Sequence, residues 1–540
     1  MPEWTVGAVL DEIAAAAPDR VMTVSGARRS SYGETAQRTG RLANFLAGRG
    51  FGAHRERAEL ANWECGQDRI ALLMYNDQYL DMVIGATKAR VVPVNVNHHY
   101  TPAEVAELLA YLRPRGVIYH RGLGAKFAEV LSGDGGLELL ISVEDGSDAE
   151  PLPGALTLDD ALAAGGRDAD ITPSPDDLIM VCTGGTTGRP KAVMWRQGDA
   201  YVNSMNGADH DDPAEIRQKL GYQGPPWFAV SPLLHAAGLW TALAGVLNGL
   251  TVVLHDTATR FDPREVLTTA QREGVGLMTM VGDAYAGPIA EELARADYDL
   301  SALYAIGTGG AGTNVANQEA LLRRLPAITL INGYGSSETG NVGFGRSQIG
   351  ERTDTFTFRD GGRVLSADRT RFLQPGDPEI GWVARSGRIP LGYFDDADAT
   401  AATFPQIGGL RVVIAGDRAA LEADGTLRLL GRDSMVVNTG GEKVFVEEVE
   451  EVLRGHPGVA DALVVGRDSA RWGQEVVALV AVGDGVDPDA LTAALHRACT
   501  DRLARFKVPK QLLFVPAIRR LGNGKPDYRW AKQQVMQGNS

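Results

Sequence analysis

The apolar run Leu178-Ile179-Met180-Val181 opens, through Cys182, into Thr183-Gly184-Gly185-Thr186-Thr187-Gly188-Arg189-Pro190-Lys191. A strand that empties into three glycines, three threonines and a lysine presents backbone N–H groups with little obstruction, beside hydroxyls and one ammonium. Successive N–H groups of this kind form an anion-binding nest. The spacing is not that of the Walker loop, which needs a glycine, four residues and then Gly-Lys-Ser/Thr. Gly184 is followed five positions on by Arg189 and Gly185 by Pro190, and Ala192 follows the lysine. A Gly/Thr-rich surface turn is the plain alternative. The density of the string favours polyphosphate binding by something other than a P-loop NTPase.

The rest of the chain limits the company such a loop can keep. At 540 residues it exceeds one hydrophobic core and requires two or more domains. A net charge of −15 gives no nucleic-acid or anionic-membrane footprint, so any anion site must be locally positive. Three cysteines (Cys65, Cys182 and Cys499), odd in number and far apart, point to a reduced, cytoplasmic setting. The first twenty residues do not read as a signal peptide. Gly238 to Leu254 is strongly apolar but carries Asn248, Gly245 and Gly249, and reads as a buried helix, Leu239 to Leu247, running into a strand.

Apolar runs alternate with helical patterns, which predicts an α/β layered fold. Strands are expected at Arg69 to Tyr75, Val91 to Val96 and Gly116 to Tyr119. Thr101-Pro102-Ala103-Glu104 is a capping box opening a helix to about Leu112. His98 and His99 just before it lack a third metal ligand at matching spacing. The acidic, Gly/Pro-rich stretch from Gly133 to Pro153 reads as a surface loop. Past Gly431-Arg432-Asp433 a compact pattern begins, with helices at Val446 to Arg454 and Pro488 to Arg505 and strands at Ala460 to Gly466 and Val476 to Val482. The expected organisation is a large layered α/β domain over residues 1–431 and a small mobile α+β domain over 432–540. The pairs Glu447-Glu448 and Glu450-Glu451 read as a solvated helix face.

Gly307-Thr308-Gly309-Gly310-Ala311-Gly312 satisfies the dinucleotide fingerprint after a strand at Leu303 to Ile306, which admits an NAD-binding oxidoreductase. The ribose-binding acid due about twenty residues later is missing, since the chain there reads Leu330-Ile331-Asn332-Gly333. That weakens the oxidoreductase reading.

The glycine–threonine loop resembles the signature of the adenylate-forming superfamily: acyl-CoA synthetases, luciferases and peptide-synthetase adenylation domains. Further motifs of that superfamily follow in order. They are Pro232-Leu233-Leu234-His235-Ala236-Ala237-Gly238, Asn332-Gly333-Tyr334-Gly335-Ser336-Ser337-Glu338-Thr339, Gly416-Asp417, the stretch Gly431 to Glu450, and Gly522-Asn523-Gly524-Lys525. The resemblance spans nearly the whole chain. It implies a carboxylate attacking the α-phosphate of ATP, releasing pyrophosphate, and a thiol then displacing AMP from the acyl-adenylate.

The resemblance also implies roles. Thr183, Gly184, Gly185, Thr187, Gly188 and Lys191 would wrap the phosphates, with Thr186 also donating. Glu338, with Thr186, would hold Mg²⁺, a cation suited to one carboxylate plus phosphate oxygens. Tyr334 would stack on adenine, among Asn332, Gly333, Gly335, Ser336, Ser337 and Thr339, and Gly309, Gly310 and Ala311 would lie flat against adenine and the acyl pocket. Asp417 and Arg432 would hold the ribose, and Lys525 would bridge carboxylate and α-phosphate. His235 would gate the acyl entrance. Asp433 would be the hinge about which the small domain turns, and Gly440 and Gly441 would then line the pantetheine tunnel. Ala192 and Val446 stand where the family usually has glycine and proline.

The amino-acid-activating branch carries an Asp near His235, and no acid occurs between Ser231 and Gly238. Leu234 to Trp240, Met278 to Gly282 and Gly307 to Gly310 are apolar or small. The expected substrate is therefore a medium- or long-chain or bulky alicyclic acid, as in actinobacterial fatty-acyl and sterol-side-chain CoA ligases. With no carrier domain after Ser540, coenzyme A is the expected thiol. Alternatives are an aryl-acid or carrier-protein-dependent enzyme, an oxygenating luciferase-type enzyme and a nucleotide-binding module without turnover. The expected partners are small molecules, with no membrane span; a homodimer is compatible with the chain.

Overall fold

The computed structural model describes residues 2–133, 136–166, 168–184, 190–258, 260–351, 354–432, 435–439, 442–469, 473–483, 485–503, 505–521 and 525–537. Among these residues the chain forms three sheets with helices packed on them. The first has a parallel half, in the order Val21–Ser25, Val252–Leu254, Trp227–Ala229, Leu277–Met280, Ala305–Thr308 and Thr329–Ser336. It continues antiparallel through Gly340–Ser347, Thr355–Phe358, Leu427–Arg432, Asp417–Leu421 and Gly381–Ser386. The second sheet runs from Leu178–Gly184 through the parallel strands Val92–Asn95, Arg69–Leu73, Gly116–His120, Leu139–Val143 and Leu156–Thr157. Strands such as Val92–Asn95 and Gly116–His120 are buried along their whole length, as sheets covered on both faces require.

The helix expected after Thr101 spans Pro102–Leu112. Its capping box is complete, Glu104 N–H donating to Thr101 Oγ1 and Thr101 N–H to the Glu104 carboxylate. The apolar stretch after His235 is the helix Ala236–Val246 followed by the strand Val252–Leu254. No helix of the described residues is long and apolar enough to cross a membrane.

Three expectations need correction. The Gly133 to Pro153 stretch is not all surface loop: it holds the strand Leu139–Val143, whose Ile141 and Val143 are fully buried. Five apolar residues suffice for a central strand, and acidic flanks hide them. The strand before Gly309 is Ala305–Thr308, two residues later than expected. The glutamates of the helix Val446–Arg454 do not form a uniformly solvated face. Glu450 is 2% exposed and accepts from Val464 N–H, Tyr528 Oη and Arg454, as a buried carboxylate must.

The third sheet contains Val436–Thr439, Glu442–Phe445, Val459–Ser469, Gly473–Val482 and Gln511–Val515. Helices Val446–Arg454 and Pro488–Arg502 cover one face and Tyr528–Gln537 the other. Its contact with the larger body begins at Gly431, where φ is +110° and a Cβ would sit 2.2 Å from the Glu447 carboxylate. The positive φ favours glycine there, and any side chain would also have to push the Glu447 carboxylate aside.

Candidate active site

The glycine–threonine loop joins two antiparallel strands, Leu178–Gly184 and Pro190–Arg196, with Thr183 opposite Lys191 and Gly184 opposite Pro190. The two strands are antiparallel neighbours, and no helix begins at Lys191. Gly185, Thr186, Thr187 and Gly188, four of its assigned phosphate groups, lie outside the described residues, as do Asp433, Gly440 and Gly441. Lys191 is described: its ammonium lies 4.6 Å from the centre of the Tyr393 ring.

Asn332 to Thr339 form the tip of a second hairpin. Thr308 Oγ1 donates to Asn332 Oδ1 at 2.7 Å, and Gly309 lies so close that a Cβ on it would be 3.2 Å from the Gly333 carbonyl. A Cβ on Gly335 would meet the Gly340 carbonyl at 2.0 Å, so the hairpin closes only with glycine there. Ser336 N–H donates to Thr339 Oγ1 at 2.8 Å and Thr339 N–H to Ser336 Oγ at 3.2 Å. The buried Trp195 indole donates to the Ser337 carbonyl at 3.0 Å. These bonds fix the turn that presents Glu338. Its carboxylate is half-buried and accepts from Tyr393 Oη at 3.1 Å through Oε1. No group of three or more metal-ligating side chains occurs among the described residues. One carboxylate with an oxygen to spare suits a cation that takes its other ligands from phosphates and water.

Tyr334 and Asp417 meet directly, the phenol donating to Asp417 Oδ2 at 2.8 Å. The Tyr334 ring rests against Phe356 at a centroid separation of 5.5 Å. Asp417 opens one strand of a hairpin and is register partner to Arg432 at the end of the other, so the fifteen-residue spacing becomes direct opposition across two strands.

His235 caps the helix Ala236–Val246 from the end of the turn Pro232-Leu233-Leu234. Two buried asparagines hold that turn. Asn76 Oδ1 accepts from Leu233 N–H at 2.8 Å, and Asn95 Nδ2 donates to the Leu234 carbonyl at 2.8 Å. Asn95 also accepts from Cys182 N–H at 2.7 Å, so one side chain ties the base of the glycine loop to the His235 turn. Sequence reasoning missed Asn76, Asn95, Trp195 and Tyr393; for Asn95 the signal was a polar residue ending an otherwise apolar strand, and Asn76 follows the strand Arg69–Leu73 by three residues. Burial, then the Lys525 ammonium and His99, push the His235 imidazole down to about 4. It is neutral at pH 7 and its Nε2 is buried without a partner among the described residues.

Lys525 is exposed, and its charge is near enough to His235 to help lower the basicity of that imidazole. Leu521 N–H donates to the Lys525 carbonyl at 2.8 Å. The three expected acyl segments also converge. Gly310 (φ +75°) lies against Ala237 and Val281, and Gly282 (φ +53°) against Ala311, while Gly309 N–H donates to the Met280 carbonyl.

A model of AMP-binding enzymes matches residues 10–371, and one of the AMP-binding enzyme C-terminal domain matches residues 448–525. The chain belongs to the AMP-binding enzyme family. It is 41% identical to the medium-chain acyl-CoA ligase Mig of Mycobacterium avium, over 99% of both chains. It is 34% identical to a 3-oxocholest-4-en-26-oate–CoA ligase of Rhodococcus rhodochrous, over 96% of this chain and 93% of that one. The fold is that of ATP-bound MatB from Rhodopseudomonas palustris, with a TM-score of 0.80 at 21% identity, covering 98% of this chain and 99% of that one. The resemblance read from the motifs is borne out, and the oxidoreductase alternative falls with it.

Proposed function

We propose that this protein is an ATP-dependent acid–thiol ligase that joins a medium- or long-chain, or sterol-derived, carboxylic acid to coenzyme A through an acyl-adenylate. The observation that carries the substrate side is the convergence of Ala237, Val281, Gly282, Gly309 and Gly310 into one apolar, small-residue wall beside His235. The names of the Mycobacterium and Rhodococcus relatives support the same acid class.

In this reading the residues divide the work. Tyr334 and Asp417 form one hydrogen-bonded unit: the ring would offer an adenine face and the carboxylate would take the ribose hydroxyls, with Arg432 its register partner across the hairpin. Lys191 and the hydroxyls of the glycine loop receive the phosphates. Glu338 would hold Mg²⁺, which supplies charge neutralisation at the triphosphate. Lys525 approaches from the small domain to bridge the attacking carboxylate and the α-phosphate, where negative charge peaks. Neutral His235 serves as an apolar-leaning gate, since a buried imidazole of low basicity is poorly suited to accept a proton from the thiol. The small domain, taken from residue 432 onward, then turns about Asp433 to bring Gly440 and Gly441 to the pantetheine arm. The free, widely separated cysteines support a reducing compartment.

The test is pyrophosphate release from ATP with a panel of acids, with and without coenzyme A, and mass detection of the acyl-CoA. Release that needs an aryl acid or a carrier protein would assign the enzyme to another branch.

A further inference from the structure

A second cavity, apart from the nucleotide cleft, lies at the carboxyl ends of Arg69–Leu73, Gly116–His120, Leu139–Val143 and Leu156–Thr157 in the second sheet. Its volume is about 300 Å³, and its walls include Arg28, Arg38, Gln78, Arg121, Ser142 and Glu144. The carboxyl edge of a parallel sheet is where α/β folds bind ligands, and this volume admits a small molecule. Leu158 is its one apolar lining residue, so the cavity is no extension of an acyl pocket.

The three guanidinium groups are not equally occupied. Arg38 is committed, donating to Asp81 Oδ2 at 3.0 Å and to Gln78 Oε1 at 2.6 Å. Arg28 stands 3.6 Å from Asp77 with its side chain 44% exposed, beyond a hydrogen bond. Burial also pushes the Asp77 carboxyl above its usual range. Arg121 gives Nη1 to Glu144, a carboxylate 69% exposed, while its Nε is buried without a partner among the described residues. The cavity thus holds two guanidinium forks bound loosely to displaceable acids and a third locked into the wall. Two helices also begin here. Gln78, held at φ +58° and giving no side-chain cap, starts Tyr79–Lys88, and Arg121 is the first residue of Arg121–Leu131. Their positive ends add to the guanidinium charge.

We propose that this cavity binds a small phosphate-bearing anion, held by Arg28 and Arg121. A phosphate has the oxygens to take two forks at once and the charge to match both. It would displace the Glu144 carboxylate to solvent and satisfy the orphaned Arg121 Nε. The exposed acid Asp159, which also lines the cavity, limits the site to ligands whose charge outweighs it. The assignment is independent of the acid–CoA ligase reading.

The experiment is calorimetric titration of the full chain with inorganic phosphate, with AMP saturating so that the nucleotide cleft is filled. Saturable binding is expected in the wild type. R28Q/R121Q, with folding verified by circular dichroism, should weaken it tenfold or more. E144Q, which removes the competing acceptor, should tighten it severalfold, and this arm stands even where the double variant fails to fold. Equal affinity in wild type and folded R28Q/R121Q, no tightening in E144Q, or binding of citrate in place of phosphate would each overturn the assignment.

Discussion

Tyr393 reaches Glu338 with its hydroxyl, at 3.1 Å from Oε1, while its ring lies 4.6 Å from the ammonium of Lys191. One buried side chain therefore touches both the acid assigned to the metal and the lysine assigned to the phosphates. It is held in turn by the strand pair that sets Tyr393 beside Val193 and by Thr400 Oγ1 accepting its N–H. Tyr393→Phe keeps the ring under Lys191 and removes the hydroxyl that orients Glu338. A hydrogen bond to a charged group is worth about 1.5–3 kcal/mol, so the Mg²⁺ concentration for half-maximal pyrophosphate release should rise roughly tenfold, with the melting temperature little changed. An unchanged Mg²⁺ dependence would leave Tyr393 a packing residue.

The role proposed for Lys525 separates the two half-reactions. The lysine side chain is exposed, which suits a group that must leave after one step. Lys525→Ala should slow adenylate formation by two orders of magnitude or more, about 3 kcal/mol. Thioester formation from pre-made acyl-adenylate should be much less affected. Equal losses in both steps would remove the assigned role.

In the proposed cycle the small domain turns at Asp433, two residues after Gly431, whose φ of +110° disfavours any side chain. Proline at Asp433 fixes φ and should trap one arrangement of the two bodies. Single-turnover adenylate formation should survive while acyl-CoA release falls sharply. Wild-type steady-state turnover in that variant would show that no rotation is needed here.

Acid should destabilise the fold through buried histidines. Burial pushes His98 down to about 3 and His120 down to about 4. Each binds a proton more readily unfolded, near its ordinary value of about 6.5, so stability is complete above that pH and is lost as pH falls toward 4. By linkage, each costs about 2 kcal/mol at pH 5. His120 Nδ1 also accepts from Tyr75 N–H at 2.8 Å, which a protonated ring cannot do. His120→Gln should be less stable at pH 8 yet lose less on going to pH 5, read as urea midpoints at the two pH values. A parallel loss in both proteins would assign the acid sensitivity elsewhere.

What was legible in the chain was what lies contiguous along it. The glycine loop, the Asn332 to Thr339 hairpin tip and the Pro232 to Gly238 turn are strings whose local chemistry announces them, and the structure gathers the described ones around a single cleft. Asp417 and Arg432 were readable for a related reason, since a hairpin turns a fixed spacing into a cross-strand register. Asn76, Asn95 and Tyr393 were not, because each matters only through partners more than fifty residues away. Glu450 was not legible either: on its own helix it is one of four glutamates, and it takes Val464 and Tyr528 from other elements, with Arg454, to make it a buried, satisfied acid.

The identity of the acid is tested by filling the wall that should hold it. Gly309 packs its Cα against the Gly333 backbone, and the neighbouring Gly310 faces Ala237 and Val281. The described part of that wall is apolar or glycine. An alkyl or steroid body lying there leaves water at roughly 25 cal/mol per Å², so each added methylene contributes about 0.8 kcal/mol until the space is full. The specificity constant should therefore climb steeply from acetate to octanoate, by about fourfold per methylene at the limit set by that energy. A sterol side-chain acid should equal or exceed the best linear acid if the pocket is wide, and fall below it if the pocket is only deep. Gly309→Leu adds a branched side chain at a position in this wall whose Cβ is already 3.2 Å from the Gly333 carbonyl. It should reduce turnover of bulky acids more than of butyrate, with ATP-dependent activity on butyrate retained. A variant that loses all acids equally has lost its backbone geometry rather than its pocket, and Gly310→Ala, at φ +75°, should reproduce that uniform loss as the control. Acetate or a free amino acid as the best substrate in the series would refute the apolar-acid assignment while leaving the adenylate chemistry in place.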